Sequence, residues 1–170
     1  MNTKKMVTAA LFLAMGYILH LVIPGLPLGS MKPDPFLAMM FLAIFFVDDF
    51  KGTIAIGAAA GLLTAMTTTF PMGQIPNIID KMVTAPAVYL LYSMLRNANP
   101  SLRTIVIASI GTIISGTVFL GSAQVFFQLP APFAALFIGV VLPAAVSNTV
   151  MVTVIDRIMA KARISARVSA

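Results

Sequence analysis

The run TIVIASIGTIISGTVFLGSAQVFF, residues 104–127, carries no charged side chain, and its polar members are short hydroxyls and one amide. As a helix it would extend roughly 36 Å at 1.5 Å per residue, enough to cross a hydrocarbon core of about 30 Å. The rest of the chain fits that solvent. Of 170 residues 59% are hydrophobic and 9% charged, and the mean hydropathy is +1.00. A water-soluble domain carries about 25% charged residues, so this composition points to lipid. The length suits one domain over residues 1–170.

Working outward, comparable apolar runs fall at 5–23, 35–48, 52–69, 78–95, 103–128 and 133–156. The gaps hold proline, glycine or charge: PGLPLGSMKPDP, DDFKG, FPMGQIPN, RNANPSLR and LPAP. Such punctuation ends helices. The expectation is an all-α membrane protein of six transmembrane helices, the second of them short for a full span. The first run lacks a small-residue cleavage site before a polar mature region, so it is expected to be a retained helix rather than a signal peptide.

Orientation follows from the basic flanks. With the amino terminus in the cytoplasm, Lys4, Lys5, Lys51, Arg96, Arg103, Arg157, Lys161, Arg163 and Arg167 fall inside, while Lys32 and Lys81 fall outside. Both termini are then cytoplasmic, in a multi-pass protein of the cell membrane. The net charge of +6 is accounted for by topology and anionic lipid, not nucleic acid. There is no cysteine and a single histidine, His20, so neither disulfides nor a Cys/His metal site is expected. No phosphate-binding GxxxxGK[ST] loop occurs, so the chain is not expected to hydrolyse ATP. No Ser/His, His/Glu or paired-aspartate arrangement within the helices suggests an enzyme. Gly57, Gly61 and Ala65 in the third helix, and Gly111 with Ser115 and Thr112 with Gly116 in the fifth, have the spacing at which helices pack closely in lipid.

Ionisable groups at membrane depth are costly, about 2.5–3.5 kcal/mol each on insertion scales, and are therefore functional candidates. Here they gather at the outer face: Lys32 and Asp34 in the first external loop, and GQIPN (Gly73 to Asn77, with Gln74) leading into Asp80 and Lys81 in the second. Capping is one reading, with Asn77 as N-cap and Asp80 at N3. It leaves Lys81 unexplained, because a cation in the first turn opposes the helix dipole; snorkelling to the interface is the other bland account. Asn77, Lys81 and Thr84 share a helix face, with Asp80 at its edge. Neighbours on a helix point about 100° apart, so Asp80 and Lys81 are expected to hold two ends of a ligand rather than each other. Candidate rings are Tyr89, Tyr92, Phe36, Phe126 and Phe127, with the amides of Gln124 and Gln128 beside the last two. Pro143 interrupts the sixth run, and Asn148 beyond it is either an interhelical hydrogen bond or a ligand contact. Cations, carboxylates, amides and rings together match a zwitterionic amino acid with an apolar side chain.

MKPD at 31–34 together with GQIPNIIDK at 73–81 resembles the TrpP family of bacterial tryptophan transporters, regarded as substrate-binding S components of energy-coupling factor transporters. The resemblance extends over nearly the whole chain. It implies a membrane-embedded tryptophan-binding subunit with no cofactor of its own, energised by a separate transmembrane coupling subunit and ATPase subunits. It implies an S-component-like bundle in which the loop between the first two helices gates the substrate and helices four to six line the site. Lys32 and Asp34 would be gate residues, and Asn77, Asp80 and Lys81 pocket residues. The Ala-x-x-x-Ala element by which such subunits dock matches Ala10 and Ala14. The alternatives are a structural scaffold without a small-molecule ligand and a solitary amino-acid transporter.

Overall fold

The computed structural model describes residues 3–22 and 34–168. Its elements are all helical: α1 (Thr3–Val22), α2 (Pro35–Val47), α3 (Phe50–Thr67), α4 (Gln74–Met94), α5 (Pro100–Phe126), α6 (Phe133–Leu136), a π-helical turn (Phe137–Val141) and α7 (Leu142–Val168). The last three run on as one continuous helix, so the six expected helices are present. Four of the six are long and apolar enough to cross a membrane.

The helix ends follow from local chemistry. Asp34 caps α2, its Oδ1 accepting from the Leu37 N–H at 2.9 Å, and Asp49 caps α3 in the same way through Gly52. Asp48 between them takes the left-handed conformation, φ 47°, that closes α2, so the adjacent aspartates are a stop and a start. Asn99 caps α5 ahead of Pro100, whose missing N–H costs nothing at the first helical position. Pro143 has no N–H to give, and the helix answers by widening just before it: the Leu142 N–H reaches Phe137 O, one residue farther than α-helical pairing.

The centre of the bundle is α2. At 13 residues it extends only about 20 Å, and its residues from Pro35 to Ile44 are all buried. A helix that is apolar all round belongs in an interior, and α2 touches α1, α3, α4, α5 and α7. Around it α1 packs on α2, α3 on α4, α4 on α5, and α5 on α7. The small-residue spacing in α3 has the expected use. A Cβ on Gly57 would lie 2.8 Å from Ala85 Cβ and 3.0 Å from the Lys81 carbonyl, and one on Gly61 would lie 3.1 Å from Ile78 Cα. The backbones of α3 and α4 therefore meet directly beside the segment that carries Asp80 and Lys81.

Candidate functional site

In this apolar bundle Lys81 is 1% exposed. An isolated ammonium there would cost several kcal/mol, and three acceptors prevent that. Its Nζ donates to Asp80 Oδ2 at 2.6 Å and to Asp34 Oδ2 at 2.9 Å, with Ser115 Oγ at 3.4 Å. Asp80 is held on every side: Oδ2 also accepts from Ser115 Oγ at 2.8 Å, and Oδ1 accepts from Thr84 Oγ1 at 2.7 Å one turn along α4. Asp34 keeps Oδ1 on the start of α2, with His20 Nδ1 of α1 at 3.6 Å. Four helices thus converge on one ion cluster. With all three groups ionised, two carboxylates share one ammonium and leave one negative charge in surplus.

The cluster borders a cavity of about 90 Å³. Its polar part is His20, Asp34, Asn77, Asp80, Lys81, Thr112, Ser115 and Asn148, with Thr68 and Thr69 at the end of α3. Its apolar part is Leu37, Phe70, Phe119, Val140, Val141 and Ala144. Phe70 and Phe119 meet edge to face at 5.2 Å. At Gly116 an added Cβ would come within 2.5 Å of Val141 Cγ1, so α5 and the π-helical turn touch here and together form one wall. Among the described residues no group of three or more His, Cys, Asp or Glu could hold a metal ion.

The structure brings Asp34, Asn77, Asp80, Lys81 and Asn148 together at this cavity. Thr84 stands behind them as the support of Asp80. The expectation that Asp80 and Lys81 would not pair is corrected: the four-carbon lysine stem curls back far enough to reach its neighbour's carboxylate. Neither snorkelling nor capping accounts for the segment, because α4 begins at Gln74 with Gly73 as its cap residue. Asn77 lies inside the first turns and returns its Nδ2–H to Gly73 O at 2.8 Å. Gln74 and Gln124 are exposed and outside the cavity lining. Tyr89 and Tyr92 lie two to three turns beyond Lys81 along α4, packed on Phe50 and Phe45, with the Arg103 guanidinium over Tyr92. Phe36 is buried in the core, and Phe126 and Phe127 pair with each other. The rings at the cavity are Phe70 and Phe119, which sequence reasoning missed. Thr112, Ser115 and Phe119 share one face of α5 at positions i, i+3 and i+7, a signal that was present. Lys32 lies outside the described residues. Ala10 and Ala14 face outward and, with Leu13, Tyr17, Ile18, Ala59 and Leu63, line an apolar groove between α1 and α3.

The remaining acidic residues need no ligand. Asp48 pairs with Arg96 at 2.6 Å, Asp49 caps α3, and Asp156 accepts from Thr104 Oγ1 at 2.8 Å.

Comparison with known proteins agrees in outline. The family model for the tryptophan transporter TrpP matches residues 2–163. A protein of Clostridium acetobutylicum described as "Probable tryptophan transport protein" is 48% identical, the match covering 91% of each chain. One of Bacillus subtilis with the same description is 48% identical over 91% of this chain and 90% of its own. A third, from Clostridium perfringens, is 40% identical over 94% and 93%. No solved structure matches the chain.

If Lys81 and Asp80 hold each other as described, a double-mutant cycle of Lys81→Met and Asp80→Asn, read as thermal midpoints in detergent, should give a coupling of about 0.5–3 kcal/mol. Lys81→Met alone should cost about 3–5 kcal/mol, because it strands the buried Asp80 carboxylate and the part-buried one of Asp34. Additive effects would contradict the pairing.

Proposed function

The chain belongs to the family of tryptophan transporters called TrpP, and from that membership we propose that it is the membrane-embedded subunit that binds tryptophan for uptake. The observation that carries this reading is the Asp34–Lys81–Asp80 cluster on a cavity that also has an apolar and aromatic wall. All three donors of the Lys81 ammonium face acceptors of the protein. A zwitterionic ligand can enter by exchange: its carboxylate takes the place of Asp34 on Lys81, and its ammonium pairs with the carboxylate so released. With all three groups ionised, the surplus negative charge favours the ammonium, and the exchange leaves each of the two cations paired with a carboxylate. The ring then lies against the apolar part of the cavity wall.

Asp34 directly follows the segment joining α1 to α2. A ligand that changes its partner therefore acts on the hinge of the expected gate. The excess of basic residues on one set of loops orients both termini to the cytoplasm and the cavity outward in a multi-pass bundle of the cell membrane. Uptake driven by ATP would need separate coupling and ATPase subunits, since the chain has no phosphate-binding loop. The outward-facing groove at Ala10 and Ala14 is the docking surface for the coupling subunit. The scaffold alternative can use the ion cluster but gives no role to the cavity beside it.

The chain has no tryptophan of its own, so added tryptophan can be followed by its fluorescence. Titrated into detergent-purified protein, it should bind saturably and in preference to tyrosine, phenylalanine and indole, and Asp34→Asn should weaken it at least tenfold. A folded protein that binds none of the four would leave the scaffold as the better account. Replacing Ala10 and Ala14 with leucine should abolish co-purification with a coupling subunit while tryptophan binding persists. Loss of binding in that variant would assign the groove to internal packing instead.

A further inference from the structure

Asn148 of α7 is fully buried, and its side chain borders the same cavity. Its Nδ2 donates to Thr112 Oγ1 at 3.4 Å. Thr112 spends its only hydroxyl hydrogen on Ala108 O at 2.8 Å, so toward Asn148 it can only accept. That fixes which way the amide faces. The nitrogen must point at Thr112, and Oδ1 points away from it, where it has no hydrogen-bond partner. A buried acceptor left without a donor is destabilising, and in a native structure it calls for an explanation.

We propose that Asn148 Oδ1 accepts the ring N–H of the bound substrate and is the residue that separates an indole side chain from rings lacking such a donor. The inference rests on the tryptophan-binding reading above and goes beyond it to one atom. Its support is positional. Thr112 and Ser115 lie one turn apart on α5, and Ser115 holds Asp80. The Asn148 amide therefore lies one helical turn, about 4.5 Å of rise along α5, from the level at which Ser115 meets the ion cluster, on the same cavity. Val141 and Ala144, two neighbours in the lining, are apolar and offer no competing donor. With an indole in place the acceptor is satisfied; with phenylalanine it stays orphaned. A site built around a buried polar partner rejects analogues that lack it more strongly than an apolar pocket can.

The test compares tryptophan with 3-benzothienylalanine, an isostere in which sulfur replaces the ring N–H. Binding of both to the detergent-purified full chain is measured by calorimetry. In the unaltered protein tryptophan should bind at least tenfold more tightly. In Asn148→Leu that preference should fall toward one, through weaker tryptophan binding with the isostere little changed. An unchanged preference in Asn148→Leu would overturn the inference and leave the tryptophan reading standing. Binding of neither ligand by the folded, unaltered protein would overturn both. A second measurement needs no variant: tryptophan labelled with 15N in the ring and bound to the unaltered protein should show an N–H proton shifted downfield and protected from solvent exchange. An unshifted, freely exchanging resonance would exclude the hydrogen bond.

Discussion

One ammonium group organises this molecule. Lys81 Nζ sits between Asp80 of its own helix and Asp34 at the start of α2, in a bundle that is otherwise nearly free of charge. Moving any of these groups alone into an apolar interior would cost several kcal/mol, and only their mutual contact offsets it. That contact ties α4 to the central helix. Ser115 brings in α5, and His20 brings in α1. Buried ion pairs are weak contributors to net stability but strong constraints on arrangement, because any misregister leaves a charge uncompensated. In a bundle where apolar faces are interchangeable with lipid, such a constraint fixes which helices meet and at what depth.

On the proposed reading the same cluster makes the interior responsive. Two carboxylates on one cation form a set with more than one good pairing, and a zwitterion offers the matching pair. Around it the wall is assembled from features that break helical regularity. The π-helical turn before Pro143 places Val140 and Val141 on the cavity, and Gly116 lets α5 approach that turn closely. Pi-helical turns within helices often occur at functional sites, and this one contributes two side chains to the cavity wall.

Much of this was legible in the sequence, for identifiable reasons. The helices follow from runs of apolar residues bounded by proline, glycine and charge, because lipid leaves the backbone no other way to satisfy its polar groups. Asp80 and Lys81 stood out because charge at depth is costly, and the wheel correctly put Asn77, Lys81 and Thr84 on one buried face. The partner of Lys81 was not legible: Asp34 is 47 positions away, and periodicity gives a face but not what the face meets. For the same reason Tyr89 and Tyr92 read as pocket rings, although they lie too far along α4. Gln74 and Gln124 read as ligands, although they point out of the bundle. The start of α4 was placed late because Asn77 looks like a cap; Gly73 stands at the cap position instead, with no side chain to announce it.

The central claim is that the buried cluster recognises both charges of an amino acid at once. The direct measurement is competition against bound tryptophan by tryptamine, which lacks the carboxylate, and by indole-3-propionate, which lacks the ammonium. Both should compete at least tenfold more weakly than tryptophan itself, since either one leaves a buried charge of the exchanged set without its partner. If either competes as well as tryptophan, the ion cluster does not read the zwitterion, and its role is structural.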